Sequence, residues 1–139
     1  MKGLILILVS SLLSAAWGFS SEVDKEKGNL VSDESVVPTY LYKIVSVEDW
    51  EKSQGKEYLV TGSIDSSFIH LATEEQVVPV AKKFWEGKSY VVLRVDPKKM
   101  IGRLVYETNP GGTTHYYHLY EGKIPIEAVV DFREMAPKL

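Results

Sequence analysis

The 139-residue chain contains no cysteine. That absence excludes a disulfide framework, a thiol nucleophile, a cysteine metal site and the lipid-modified cysteine of a bacterial lipoprotein. A basic excess is missing as well: 16 Lys and Arg stand against 19 Asp and Glu, for a net charge of −3. A domain that grips a phosphate backbone carries a basic surface or stripe, so nucleic acid is not an expected partner. There is no Walker loop, no dinucleotide-binding glycine fingerprint and no serine-hydrolase elbow. No internal repeat or low-complexity segment interrupts the chain. What is present is the balance of a globular domain, 45% apolar and 25% charged. Its packed core must supply the stability that disulfides would otherwise add.

The first residues read differently from the rest. Met1-Lys2 is positively charged, Leu4 to Val9 and Leu12-Leu13 form a short apolar run, and Ala16-Trp17-Gly18 is a small-x-small site. That order is the pattern of a secretory signal peptide, expected over residues 1–18 with cleavage after Gly18. Ser10, Ser11 and Ser14 break the run, which is short for a membrane span. The expected location is therefore export, periplasmic or secreted, with no membrane association after cleavage. Residues 19–37, rich in Ser, Glu, Asp and Lys, read as a flexible linker. Residues 38–139 form the domain.

Within it, Tyr40 to Val47 is β-branched and aromatic and predicts a strand. Ser46 caps a short helix that Gly55 ends. Phe68 to Ala72 predicts a second strand, with Phe68, His70 and Ala72 on one face. Thr73-Glu-Glu-Gln76 is a capping box that opens a helix stopped by Gly87, with Pro79 inside it. Ser89 to Asp96 predicts a central strand covered on both faces. Leu104 to Thr108 is a fourth strand and Asn109-Pro-Gly-Gly112 a turn. Thr114 to Tyr120 is a fifth strand, broken by Gly122 and Pro125, with Tyr116, His118 and Tyr120 on one face. Ala128 to Phe132 is the last strand. The fold class is α+β, with a mainly antiparallel split sheet and one or two helices.

Polar groups cluster at the strands. His70 and His118 are candidates for catalysis together with Glu107; Lys43, Thr73 and Tyr120 are candidates for ligand binding. Cationic, imidazole and hydroxyl groups converging on a cleft supply donors for a phosphate or a ribose. Each has an ordinary explanation. A strand lysine is usually solvated, Thr73 is accounted for as a helix cap, and strand tyrosines usually pack. His115 and His118 fall on opposite faces of a strand, which makes them poor candidates for a shared metal. His70, His118 and Glu107 could, but no metal is expected. Composition and spacing stop at a polar-lined site of unknown task.

Leu41-Tyr-Lys-Ile44, Phe68-Ile-His70 with Thr73 and Gln76-Val77, Val91 to Asp96, Tyr106-Glu107, Gly111-Gly112 and His118-Leu-Tyr120 carry a resemblance. In that order they resemble the uncharacterised domain family nine-five-two among domains of unknown function, over Tyr40 to Phe132. Tyr117 stands where the family often has proline, and Tyr106 where it often has tryptophan. The resemblance implies a fold similar to the ADP-ribosyltransferases and to the catalytic half of RNA 2′-phosphotransferases, which clasp NAD in a cleft. It places Lys43 at the first motif position and His70 with Thr73 at the second. The third falls to His118 or Glu107. NAD, or another nucleotide-like small molecule, is the ligand it implies. Two expectations stand side by side: transfer or hydrolysis of ADP-ribose, and a non-catalytic small-ligand or protein-interaction module. A small-ligand module needs the pocket but not the carboxylate, and a protein-interaction module should instead expose an apolar patch built from Trp50, Trp85 or the Tyr116–Tyr120 strand.

Overall fold

The computed structural model describes residues 37–137. The expected leader, residues 1–18, and all but the last residue of the expected linker lie outside the described residues. The elements run β1 (Leu41–Ser46), α1 (Val47–Ser53), β2 (Ile69–Leu71), α2 (Glu74–Phe84), β3 (Tyr90–Val95), β4 (Ile101–Thr108), β5 (His115–Lys123) and β6 (Val129–Met135). Single 3-10 turns at Ser63–Asp65, Pro97–Lys99 and Ile126–Ala128 punctuate the loops. All strand pairing is antiparallel, in two three-stranded sheets of order β1-β3-β6 and β2-β5-β4. The α+β expectation holds.

The sheets are joined where β1 meets the end of β2: Tyr42 and Ala72 exchange both backbone hydrogen bonds at 2.8 Å. One apolar core serves both. Leu41, Val45, Val91, Leu93 and Val95 from the first sheet meet Ile69, Leu71, Tyr117 and Leu119 from the second, with Trp50 of α1 among them. Trp50 is thus a core residue and not part of an exposed patch; its burial follows from α1 lying against β1 and β3.

Both helix starts are as read. Ser46 Oγ accepts from Asp49 N at 3.0 Å, and Gln76 Oε1 accepts from Thr73 N at 3.0 Å to complete a capping box. Pro79 neither delays nor ends α2. The missing interior hydrogen bond is offset by the capped first turn and by Ala81, buried against the body of the domain. Two strand expectations need correction. β3 is central, but only Val91, Leu93 and Val95 are fully buried, while Tyr90, Val92 and Arg94 are half-buried. One face meets the core and the other is only partly covered. β5 also runs through Gly122 to Lys123. The chain continues there because a bulge, at the register shift between Ile101 and Arg103, absorbs the irregularity. Gly102 sits at φ +121° with its backbone against Gly122, and Glu121 adopts φ +49°.

Candidate functional site

Period-two alternation gives the second sheet two unlike faces. Ile69, Leu71, Tyr117 and Leu119 point into the core. The opposite face carries His70, opposite His118, opposite Val105, and beside that row Arg103 opposite Tyr120 and Glu107 opposite Tyr116. Phe68, just before β2, lies over this face. Its ring stacks on His118 at 4.0 Å and approaches His70 at 4.7 Å and Tyr120 at 5.1 Å. The two imidazoles meet edge-on with centroids 5.4 Å apart.

Two carboxylates hold the two histidines. Glu107 Oε1 lies 2.9 Å from His118 Nδ1 and accepts a hydrogen bond from the Tyr120 hydroxyl. A carboxylate only accepts, so His118 carries its hydrogen on Nδ1. The hydroxyl of Tyr120, then the His118 contact, hold the Glu107 carboxyl below the usual carboxylate range. The same bond raises the Tyr120 phenol above its ordinary value, so it stays a donor. Arg103 stacks on Tyr120, 4.9 Å from the ring centre. His118 is 1% exposed, and its Nε2 has no hydrogen-bond partner.

The second carboxylate is Asp65, placed by the 3-10 turn Ser63–Asp65. Its Oδ1 accepts from His70 N and faces His70 Nδ1, both at 3.0 Å. Lys43 reaches the same group, 3.0 Å from Oδ1 and 2.8 Å from Oδ2. Lys43 points with Leu41 and Val45 into the core, and the two side chains of this ion pair are only 5% and 2% exposed. Burial by itself would raise the Asp65 carboxyl. The hydrogen bonds from His70 and the charge of Lys43 outweigh it and hold the group below its ordinary value. Burial pulls the Lys43 ammonium below the usual lysine value against the attraction of Asp65.

The structure therefore gathers His70, His118, Glu107 and Tyr120 on one face. Lys43 is not the solvated strand lysine of the ordinary explanation. It is buried and neutralised, and it bears on the face only through Asp65 and His70. Thr73 caps α2. Asp65 and Phe68 were missed. A lysine on the core face of an apolar strand requires a buried counterion, and Asp65, five residues before His70, was the signal for one. Phe68 shared a face with His70 in the alternation, but nothing local showed that it would cover His118. Among the described residues no group of three or more His, Asp and Glu side chains could hold a metal ion.

A cavity of about 930 Å³ lies elsewhere, between α2 and the partly covered face of the first sheet, lined by Val77, Trp85, Tyr42, Val92 and Arg94 among others. It offers volume but no carboxylate–imidazole pair.

The model of one family, described as a protein of unknown function (DUF952), matches residues 44–132. The chain belongs to that family. The match spans His70, Glu107, His118 and Tyr120, as well as Asp65 and Phe68; Lys43 falls one residue before it. Solved structures are also similar to the chain. The crystal structure of protein CC0527 from Caulobacter crescentus is 27% identical, with a TM-score of 0.60, over 69% of this chain and 85% of that one. A crystal structure of a double mutant of CC0527 gives 28% and 0.59 over the same shares. The solution structure of CC0527 gives 26% and 0.58 over 71% and 86%. No curated protein matches.

Proposed function

We propose that this DUF952 domain binds NAD or a related nucleotide over the Phe68–His70–His118–Tyr120 face and transfers or hydrolyses ADP-ribose. One observation carries the reading. A carboxylate fixed by a tyrosine and a buried histidine, and held ionised, stands on the same face as a second, partly exposed histidine whose Nδ1 faces a second carboxylate. Cleavage of an N-glycosidic bond builds positive charge on the ribose, and a preorganised carboxylate is the group that stabilises it. In this reading nicotinamide leaves with the bonding electron pair and becomes neutral. Glu107 stabilises the oxocarbenium ion. Water adds to the anomeric carbon and gives its proton to His70 Nε2, so NAD and water become ADP-ribose, nicotinamide and a proton. An acceptor hydroxyl in place of water makes the same chemistry a transfer. Phe68 and Tyr120 supply flat surfaces for the rings. Lys43 acts through Asp65, which fixes the His70 ring, and not as a phosphate ligand. The leader proposed for residues 1–18 carries the domain out of the cytosol, so its NAD would be met in another compartment or another cell.

The second reading, a non-catalytic small-ligand module, is favoured by the cavity beside α2. Thermal-shift titration of the full chain with NAD and ADP-ribose, paired with an assay for released nicotinamide, separates the two. A ligand at ~100 times its dissociation constant adds about 2.7 kcal/mol, a shift of several degrees in a domain this size. Enzymatic action requires both a shift and nicotinamide release, with release lost in Glu107→Gln. A shift without release, unchanged in His70→Ala, supports the module. No shift and no release from folded protein overturns the nucleotide reading.

A further inference from the structure

We propose that the cavity between α2 and the partly covered face of the first sheet binds a small organic acid, its carboxylate on Arg94 and its apolar body against Trp85 and Val92. This ligand class rests on the small-ligand reading of the cavity and is independent of the histidine face. The cavity holds about 930 Å³, room for a small molecule. Val77, Ala81 and Trp85 wall it from α2 and its C-cap, and Tyr90 and Val92 wall it from β3. The Trp85 and Tyr90 rings lie 5.8 Å apart. A wall of aromatic and aliphatic side chains favours an apolar guest.

Arg94 is the polar anchor. It is half-buried on the side of β3 away from the core, in register with Tyr42 of β1 and Asp131 of β6. Its guanidinium lies 4.9 Å from the Tyr40 ring centre and donates a hydrogen bond to Tyr42. Those two contacts hold the fork in place, and neither supplies a counter-charge. Arg94 Nε is buried with no hydrogen-bond partner. Asp131, directly across the strand, does not pair with it. Asp131 Oδ1 accepts from the Phe132 N–H instead, at 2.9 Å, and among the described residues Arg94 is in no ion pair. A fixed, planar donor fork without a carboxylate, set in an apolar recess, matches a carboxylate that arrives on an apolar body. The Tyr42 phenol supports the same guest. Burial first, then the charge of Glu74, raise it above its ordinary value, so it keeps a hydrogen to donate. Of the charged side chains along the cavity, Lys82, Lys88, Arg94 and Arg133 stand against Glu74, Glu86 and Asp131, a lining that is cationic on balance. An uncharged guest of the same shape would leave Arg94 unanswered, and a cation would be repelled by it.

The test is isothermal titration of the full-length chain with naphthylacetate, with naphthylacetamide as its uncharged twin. The wild type should bind the acid about tenfold or more tightly than the amide. Arg94→Gln should weaken the acid to the level of the amide and leave the amide nearly unchanged, so amide binding reports that the cavity is intact. Val77→Phe, which adds bulk to the cavity wall, should weaken both, and it leaves Arg94 untouched should Arg94→Gln fail to fold. Glu107→Gln should change neither, because Glu107 belongs to the histidine face. Equal affinity of the wild type for acid and amide, or a preference for the acid that survives Arg94→Gln, would overturn the acid while leaving the cavity a ligand site. Binding of neither compound by folded wild type at millimolar concentration would overturn the cavity as a site altogether.

Discussion

At the scale of the residue, the buried Lys43–Asp65 pair is the most consequential contact. Removing one partner of a buried ion pair leaves an uncompensated charge. Asp65→Asn should therefore cost about 3 kcal/mol in urea unfolding, whereas Lys43→Met combined with Asp65→Asn should recover most of that loss. A single variant no worse than the double would show that the pair is not coupled. The pair also has a pH signature. The folded Asp65 carboxyl lies below its ordinary value, and unfolding returns it to about 3.9. The unfolded chain therefore binds the proton first as pH falls. The stabilisation is complete above about pH 4 and is lost as the pH drops through the folded value. A stability–pH profile of Asp65→Asn should have a flatter acid limb than the wild type. For the site, Glu107→Gln should abolish nicotinamide release while leaving the melting temperature nearly unchanged, because an amide oxygen still accepts from His118 and Tyr120.

At the scale of the element, the β4–β5 bulge and α2 make opposite predictions. A Cβ at Gly102 would lie 2.6 Å from Gly122 Cα and 2.7 Å from Tyr120 O, at a φ of +121°. Gly102→Ala should destabilise by about 2–3 kcal/mol and disturb Tyr120, which is next to the bulge. Gly111 at φ +77° has nothing within 4 Å of a new Cβ. Gly111→Ala should cost only the backbone strain, about 1 kcal/mol. Pro79 is exposed within α2, so Pro79→Ala restores a helix hydrogen bond with no packing loss. It should raise stability by about 1 kcal/mol or more, read from the unfolding midpoint. The capping box and the Ser46 cap were legible because capping is a contact between residues three apart. The bulge was not. Gly122 looked like a strand end, and only its approach to Gly102 across the hairpin shows that the strand continues.

At the scale of the whole molecule, two sheets share one core cluster, so they should unfold as one unit. Calorimetric and van't Hoff enthalpies of the domain should agree, and probes on Trp50 and on the tyrosines of β5 should report the same midpoint. Two midpoints would mean that the sheets fold separately. Trp50 illustrates why the apolar surface could not be read in advance. A tryptophan on a short amphipathic helix is equally suited to a core or a patch, and the packing of α1 on β1 and β3 decides between them.

The sequence by itself determined the α+β class, the antiparallel strands, both helix caps, the family and the faces on which His70, His118 and Tyr120 lie. The class, strands, caps and faces are consequences of local periodicity, capping and turn chemistry, which act between residues close in the chain, whereas the family is a resemblance carried by the ordered motifs. Only the tertiary structure decided that Lys43 is buried against Asp65, 22 residues away, that Glu107 holds both His118 and Tyr120, and that Phe68 lies over the histidine pair. Those contacts depend on strand register and on how one sheet meets the other, and neither is encoded in any short window of the chain.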